Sequence, residues 1–166
     1  TRNGYLITAQ MKRVWSIQLD ITRHILDVCK RHGLRVWADW GTLLGAVREK
    51  GFIPWDDDID LMMMRDDYEK LILLADSEFR HPYFLQSFHT EKQYYRGHAQ
   101  VRYDGTAAIL KDDINQPFHQ GIFVDIFVGI LHSPFLKAGV QQGHNVFVNA
   151  GGSVAETLVV VHVCAH

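Results

Sequence analysis

The stretch from Gly41 to Asp60 limits what this chain can fold into more than any other part of it. It reads Gly41-Thr42-Leu43-Leu44-Gly45-Ala46-Val47-Arg48, then Gly51-Phe52-Ile53-Pro54-Trp55, and runs on into Asp56-Asp57-Asp58-Ile59-Asp60-Leu61-Met62-Met63. With Asp58 to Met63 as a β-strand, the two-residue period puts Asp58 and Asp60 on one face and Ile59, Leu61 and Met63 on the other. One face must be buried, and the other carries two carboxylates that repel each other unless a cation sits between them. Mg²⁺ is the usual choice where phosphate is the other ligand, with Mn²⁺ as the alternative. A solvated acidic loop ahead of a strand is the competing reading. A calcium loop fails, because Leu61 stands where its turn needs Gly and Asp67 where it needs Glu.

Upstream, Leu34 to Trp40 reads as a short buried strand ending on Gly41. Thr42 is placed to cap a short helix from Leu43 to Lys50, leaving its first amides for a phosphate oxygen, and Gly41 lets the backbone come close. Two glycines around a helix start also serve as plain turn and packing residues. Joined to the aspartates, however, this turn supplies the two requirements of metal-assisted phosphoryl or nucleotidyl transfer.

The rest of the chain reads as scaffold. From Gln10 to His32, Val14, Ile17, Ile21, Ile25 and Val28 recur every three or four residues, which predicts an amphipathic helix stopped by Gly33. Asp66 and Glu69 have the spacing of a capping box, opening a helix with Tyr68, Leu71, Ile72, Ala75 and Phe79 on its apolar face and closed by His81-Pro82. Strands are expected over Tyr83 to Phe88, Tyr94 to Tyr103 and Thr106 to Leu110, the last two joined at Asp104-Gly105. Arg96, Arg102 and Lys111 are candidates to neutralise phosphate, although isolated basic residues usually serve solvation. Ile122 to Val128 is a strongly apolar run interrupted only by Asp125. A carboxylate there is costly to bury unless paired, hydrogen-bonded or bound to metal, so Asp125 is the best third ligand. A structural aspartate at the strand's end competes with that. His119 reads as structural. Beyond Val128 the text turns Gly-rich, with His132, His144, His162 and His166 lacking metal-ligand spacing.

With 166 residues, 47% hydrophobic, this is most simply one domain with a real core. A formal net charge of -2 gives no basic footprint, so nucleic acid is not indicated as a partner. Cys29 and Cys164 support neither a disulfide framework nor a thiolate metal cage, and a reducing compartment fits best. No apolar run is long enough for a membrane span and no signal-peptide pattern opens the chain. It begins at Thr1 rather than Met, which leaves a lost leader or a boundary open.

The run from Trp40 to Arg48, then Gly51 to Asp60, closely resembles the LicD family of the nucleotidyltransferase-fold superfamily. Arg102-Tyr103-Asp104-Gly105-Thr106-Ala107-Ala108-Ile109 and Gly121 to Phe127 are similar to later segments of that family, in the same order. The resemblance covers roughly residues 10 to 128. It implies an α+β fold, a mixed sheet with helices packed against it, over a domain at 1–128, followed by an atypical tail at 129–166. It implies that Asp58, Asp60 and Asp125 act together to coordinate Mg²⁺, that Gly41 and Thr42 hold donor phosphate, and that Arg48 and Asp56 support phosphate and metal. The activity it implies is transfer of a phosphocholine or phospho-polyol unit from a CDP-activated donor to a sugar hydroxyl of a surface glycan, in the cytoplasm or at the inner face of the membrane. The family's usual Pro-Leu-Asp element after the third carboxylate is replaced by Val128-Gly129-Ile130-Leu131. A shortened product with an intact metal site and impaired turnover is therefore one expectation. The rivals are a metal-dependent phosphohydrolase and a non-catalytic module that binds metal and CDP.

Overall fold

The computed structural model describes residues 1–129. The first helix, α1 (Ala9–His32), opens where Thr8 accepts a hydrogen bond from the Met11 amide and stops at Gly33, whose φ of 64° is left-handed. Its apolar stripe is the predicted one, and Ile21, Ile25 and Val28 are fully buried. Each such side chain contributes about 1.5–3 kcal/mol by leaving water.

That stripe packs on a five-stranded mixed sheet made of β1 (Trp37–Ala38), β2 (Asp60–Met64), β3 (Tyr83–Gln86), β4 (Ala99–Tyr103) and β5 (Phe123–Gly129), in the order β1-β2-β5-β4-β3. β2 and β5 are parallel, and the other neighbours are antiparallel. The other α-helices among the described residues are α2 (Trp40–Arg48), α3 (Arg65–Leu73) and the short α4 (Ala75–Glu78). The α+β architecture expected from the sequence is the one found. Ile59, Leu61 and Met63 join Val124 and Ile126 in the core under α1, whereas Met62 and Met64 pack with Trp37 in a separate cluster. The alternation read from the sequence thus sorts the sheet into its two faces, although β2 begins at Asp60 rather than Asp58.

Several local expectations are corrected. The strand expected over Leu34 to Trp40 shrinks to Trp37–Ala38, because the chain turns at Asp39 and α2 already starts at Trp40. Thr42 therefore lies inside the first turn of α2 and is not its cap. The Asp66 capping box does not form. Met64 occupies the cap position as β2 runs straight into α3, and Asp67 is buried and turned to Arg35 at 2.7 Å. Residues 106–110 are not a strand, since both edges of β4 are taken by β3 and β5 and leave no ladder for a third partner. Tyr94 to His98 likewise lie outside β4, with Tyr94 and Tyr95 edge-on to Phe118. Arg102 is fully buried, and Arg96 is paired with Asp113 at 2.5 Å, so both serve the interior. The reading of an atypical tail at 129–166 falls, apart from Gly129 at the end of β5, outside the described residues.

Gly45 shows how closely α2 is seated. A Cβ there would lie 2.6 Å from the Gly51 carbonyl oxygen and 3.2 Å from the Ile53 nitrogen. Gly45→Ala gains about 1 kcal/mol of helix propensity and loses about 1–3 kcal/mol to overpacking against backbone that cannot swing aside. A thermal melt should therefore show a lowered Tm, and a raised Tm would mean that helix propensity prevails.

Candidate active site

The centre of the site is the parallel pair. Asp60 on β2 and Asp125 on β5 are register partners, so their side chains leave adjacent strands on the same face, away from α1. The backbone there is pinned from several sides. The Asp125 amide donates to Ile59 O at 3.0 Å, and the Asp39 amide donates to Asp60 O at 3.0 Å. The Asp60 amide donates to Thr42 Oγ1 at 2.8 Å, which gives that hydroxyl a role other than the expected helix cap.

Asp56, Asp57 and Asp58 form the loop entering β2, and α1 holds that loop in place. Trp15 Nε1 donates to Asp56 O at 2.8 Å, and Gln18 Nε2 donates to Asp57 O at 2.7 Å. One carboxylate oxygen from each of these three aspartates lies within 4.8 Å of the others, the one such cluster of possible metal ligands among the described residues. It shares Asp58 with the trio expected from the sequence but contains Asp57, which had no expected role. Gly41 is explained by the same loop, because a Cβ there would fall 2.5 Å from Asp56 Oδ2. Arg48 sits at the opposite end of α2 from Gly41, with its Nε 2.7 Å from Glu49 Oε1.

Electrostatically, Asp58 and Asp60 are both under strain. Burial, then the neighbouring Asp60 charge, then Asp56, pushes the Asp58 carboxyl up to about 7. Burial, then Asp125, then Asp56 and Asp39, pushes Asp60 up to about 6, with His98 opposing the rise. Asp60 thus feels Asp125 on the next strand, whereas Asp58 feels Asp60, Asp56 and Asp57. The three carboxylates Asp58, Asp60 and Asp125 are not gathered as closely as Asp56, Asp57 and Asp58. Hard carboxylate oxygens of this kind are the donors that Mg²⁺ and Mn²⁺ take.

Two cavities flank the acidic loop. One, of about 500 Å³, is lined by Gly41, Thr42, Asp56 and Asp58 against apolar residues such as Leu26 and Ile53. The other, of about 510 Å³, is lined by Gln18, Asp57, Asp58 and Phe123. The amides of Gly41 and Thr42, in the first turn of α2, lie in the part of a helix that has no intrahelical acceptor, and no side chain caps them.

Three further residues reach this site without belonging to any motif. Asp39 bears on Asp60, Gln100 donates to Asp125 at 2.7 Å, and His98 Nε2 stands 3.0 Å from the same carboxylate. The alternation of His98, Gln100 and Arg102 was the available signal, but it needs the β4–β5 register to be understood.

Fold and carboxylates together define a nucleotidyltransferase-like α+β domain with an acidic cleft at its central parallel strands. The sequence over residues 33–129 matches the family described as LicD/FKTN/FKRP, nucleotidyltransferase domain, and the chain belongs to that family. It is 31% identical over 128 residues to the lipopolysaccharide cholinephosphotransferase LicD of Haemophilus influenzae, covering 76% of this chain and 47% of that protein. Over 48 residues it is 40% identical to the human ribitol 5-phosphate transferase FKRP, covering 29% of this chain and 10% of that one. The chain thus spans about half the length of the Haemophilus relative and a small part of the human one. No helix among the described residues is long and apolar enough to cross a membrane.

Proposed function

We propose that this chain carries the catalytic face of a Mg²⁺-dependent transferase that moves a phosphocholine or phospho-polyol group from a CDP-activated donor to a sugar hydroxyl of a cell-surface glycan. The observation that carries the reading is the register pairing of Asp60 with Asp125, beside an Asp58 carboxyl raised to about 7. Such a set is electrostatically unfavourable until a cation joins it. The relatives' names, cholinephosphotransferase and ribitol 5-phosphate transferase, support the transferred group and a glycan acceptor.

Asp58, Asp60 and Asp125 would hold the cation, which when bound neutralises the donor diphosphate and lowers the pKa of the attacking hydroxyl. Asp56 shapes the same loop, and its carboxylate lies close against Gly41, where a Cβ would oblige it to turn aside. The uncapped amides of Gly41 and Thr42, at the wall of the first cavity, would take a phosphate oxygen of the donor. The acceptor oxygen forms a bond to the phosphorus of the transferred group as the bond from that phosphorus to CMP breaks, and a carboxylate such as Asp125 accepts the hydroxyl proton. A cytoplasmic site, at or near the inner membrane face, fits a CDP-linked donor.

The alternatives are a metal-dependent phosphohydrolase and a non-catalytic module that binds metal and CDP. CMP release from CDP-choline, CDP-ribitol and CDP-glycerol, with and without acceptor glycan, separates the alternatives. The proposal expects acceptor-dependent, Mg²⁺-dependent release that is lost in Asp58→Asn. Release without acceptor would indicate hydrolysis, and CDP binding with no release would indicate the non-catalytic module.

A further inference from the structure

Asp125 is gripped from β4. Gln100, its register partner there, is buried and donates from Nε2 to Asp125 Oδ1 at 2.7 Å. An amide side chain can be turned either way round, so something must decide which end meets the carboxylate. Arg102, two residues along the same face of β4, decides it. A guanidinium can only donate, and this one donates to Gln100 Oε1, which leaves the NH₂ end for Asp125. Arg102 is fixed in turn by donating to Gln86 Oε1 and Gly121 O, each at 2.7 Å, and lies 4.5 Å from the Phe123 ring centroid. Two residues the other way, His98 places Nε2 3.0 Å from the same Oδ1, with its ring 4.5 Å from that of Phe127. Both contacts fall on one oxygen of Asp125.

We propose that His98, Gln100 and Arg102 are a positioning row. They hold Oδ1 of Asp125 and so reserve its Oδ2 for a divalent cation shared with Asp60. This role rests on the cation site proposed above and extends it to residues that do not themselves touch the ion. Partners of this kind fix the direction of a ligand's lone pairs, and their removal typically costs about 10–100-fold in metal affinity.

The test is Mn²⁺ affinity of the chain, measured by electron paramagnetic resonance without nucleotide, in Gln100→Met, His98→Phe and His98→Gln. Gln100→Met and His98→Phe should each weaken Mn²⁺ binding by about ten-fold or more, and His98→Gln, which returns a polar side chain beside Oδ1, should recover most of that loss. His98→Phe keeps a ring against Phe127, so its melting curve should stay close to that of the parent. A row that only supports the fold would lower the Tm of Gln100→Met and leave Mn²⁺ affinity unmoved, which overturns the positioning role alone. No Mn²⁺ binding by the parent chain overturns the cation site and this role with it.

Discussion

If the proposed chemistry is right, Asp60→Asn should lower group transfer by on the order of 10³-fold, because losing one anionic ligand to the cation would remove about 4 kcal/mol of transition-state charge stabilisation. The same substitution should make the metal-free chain more stable near neutral pH. Asp60 is raised from its ordinary 3.8 to about 6 by burial and by Asp125, Asp56 and Asp39, and Asp58 is raised further, to about 7. The folded chain therefore holds protons at a pH where the unfolded chain has released them. Stability from these two groups is complete below their ordinary range and is lost as pH rises through about 6 and 7. The uncharged amide of the variant escapes that loss. After solvent screening of a half-exposed group the gain is roughly 1 kcal/mol, or a rise of roughly 3 °C in Tm. In chelator, the Tm gap between variant and parent should be absent at about pH 3, open as pH rises past the ordinary carboxylate range, and reach its full size by about pH 8. Equal transfer rates would remove Asp60 from the chemistry, and a lower Tm for the variant at the higher pH would show that Asp60 stabilises the fold as a carboxylate.

Arg102→Met should cost the fold about 3–5 kcal/mol, the range for breaking a buried charged network at one member. Arg102 has no exposed surface, and it satisfies Gln86 Oε1, Gln100 Oε1 and Gly121 O at once. Methionine fills much of the volume but donates nothing, so these buried acceptors are left without their partner, at about 1–3 kcal/mol each before relaxation. Urea unfolding should show a lower midpoint at unchanged m, and thermal unfolding a fall of roughly 10 °C. An unchanged midpoint would mean that desolvating the guanidinium costs as much as its hydrogen bonds return.

The two roles of aspartate in this chain were unequally legible. The faces of β2 followed from alternation alone, because a period of two is fixed by backbone geometry and Ile59, Leu61 and Met63 have one apolar side to hide. The α1 stripe and its glycine stop were legible for the same kind of reason. Thr42 and Asp66 were misassigned as caps, since hydroxyl and carboxylate side chains at a helix start have other acceptable partners. Here Thr42 serves the Asp60 amide, while Met64, coming straight off β2, takes the cap position that Asp66 was given. Residues 106–110 have the composition of a strand, but pairing depends on a free sheet edge, and that is a property of the whole topology. His98 and Gln100 stayed hidden for the same reason, as their neighbour on β5 is set by register across a long separation in the chain.

The parallel pairing of β2 with β5 has a consequence for assembly. β5 lies between β2 and β4, yet among the described residues it comes after all of the other strands in the chain, so the β1–β2 pair and the β3–β4 pair are joined only when it inserts. Closing so long a loop is entropically slow. The acidic cleft therefore exists only once that strand is seated, and its detachment would part Asp125 from Asp60 while β3 and β4 keep their own ladder.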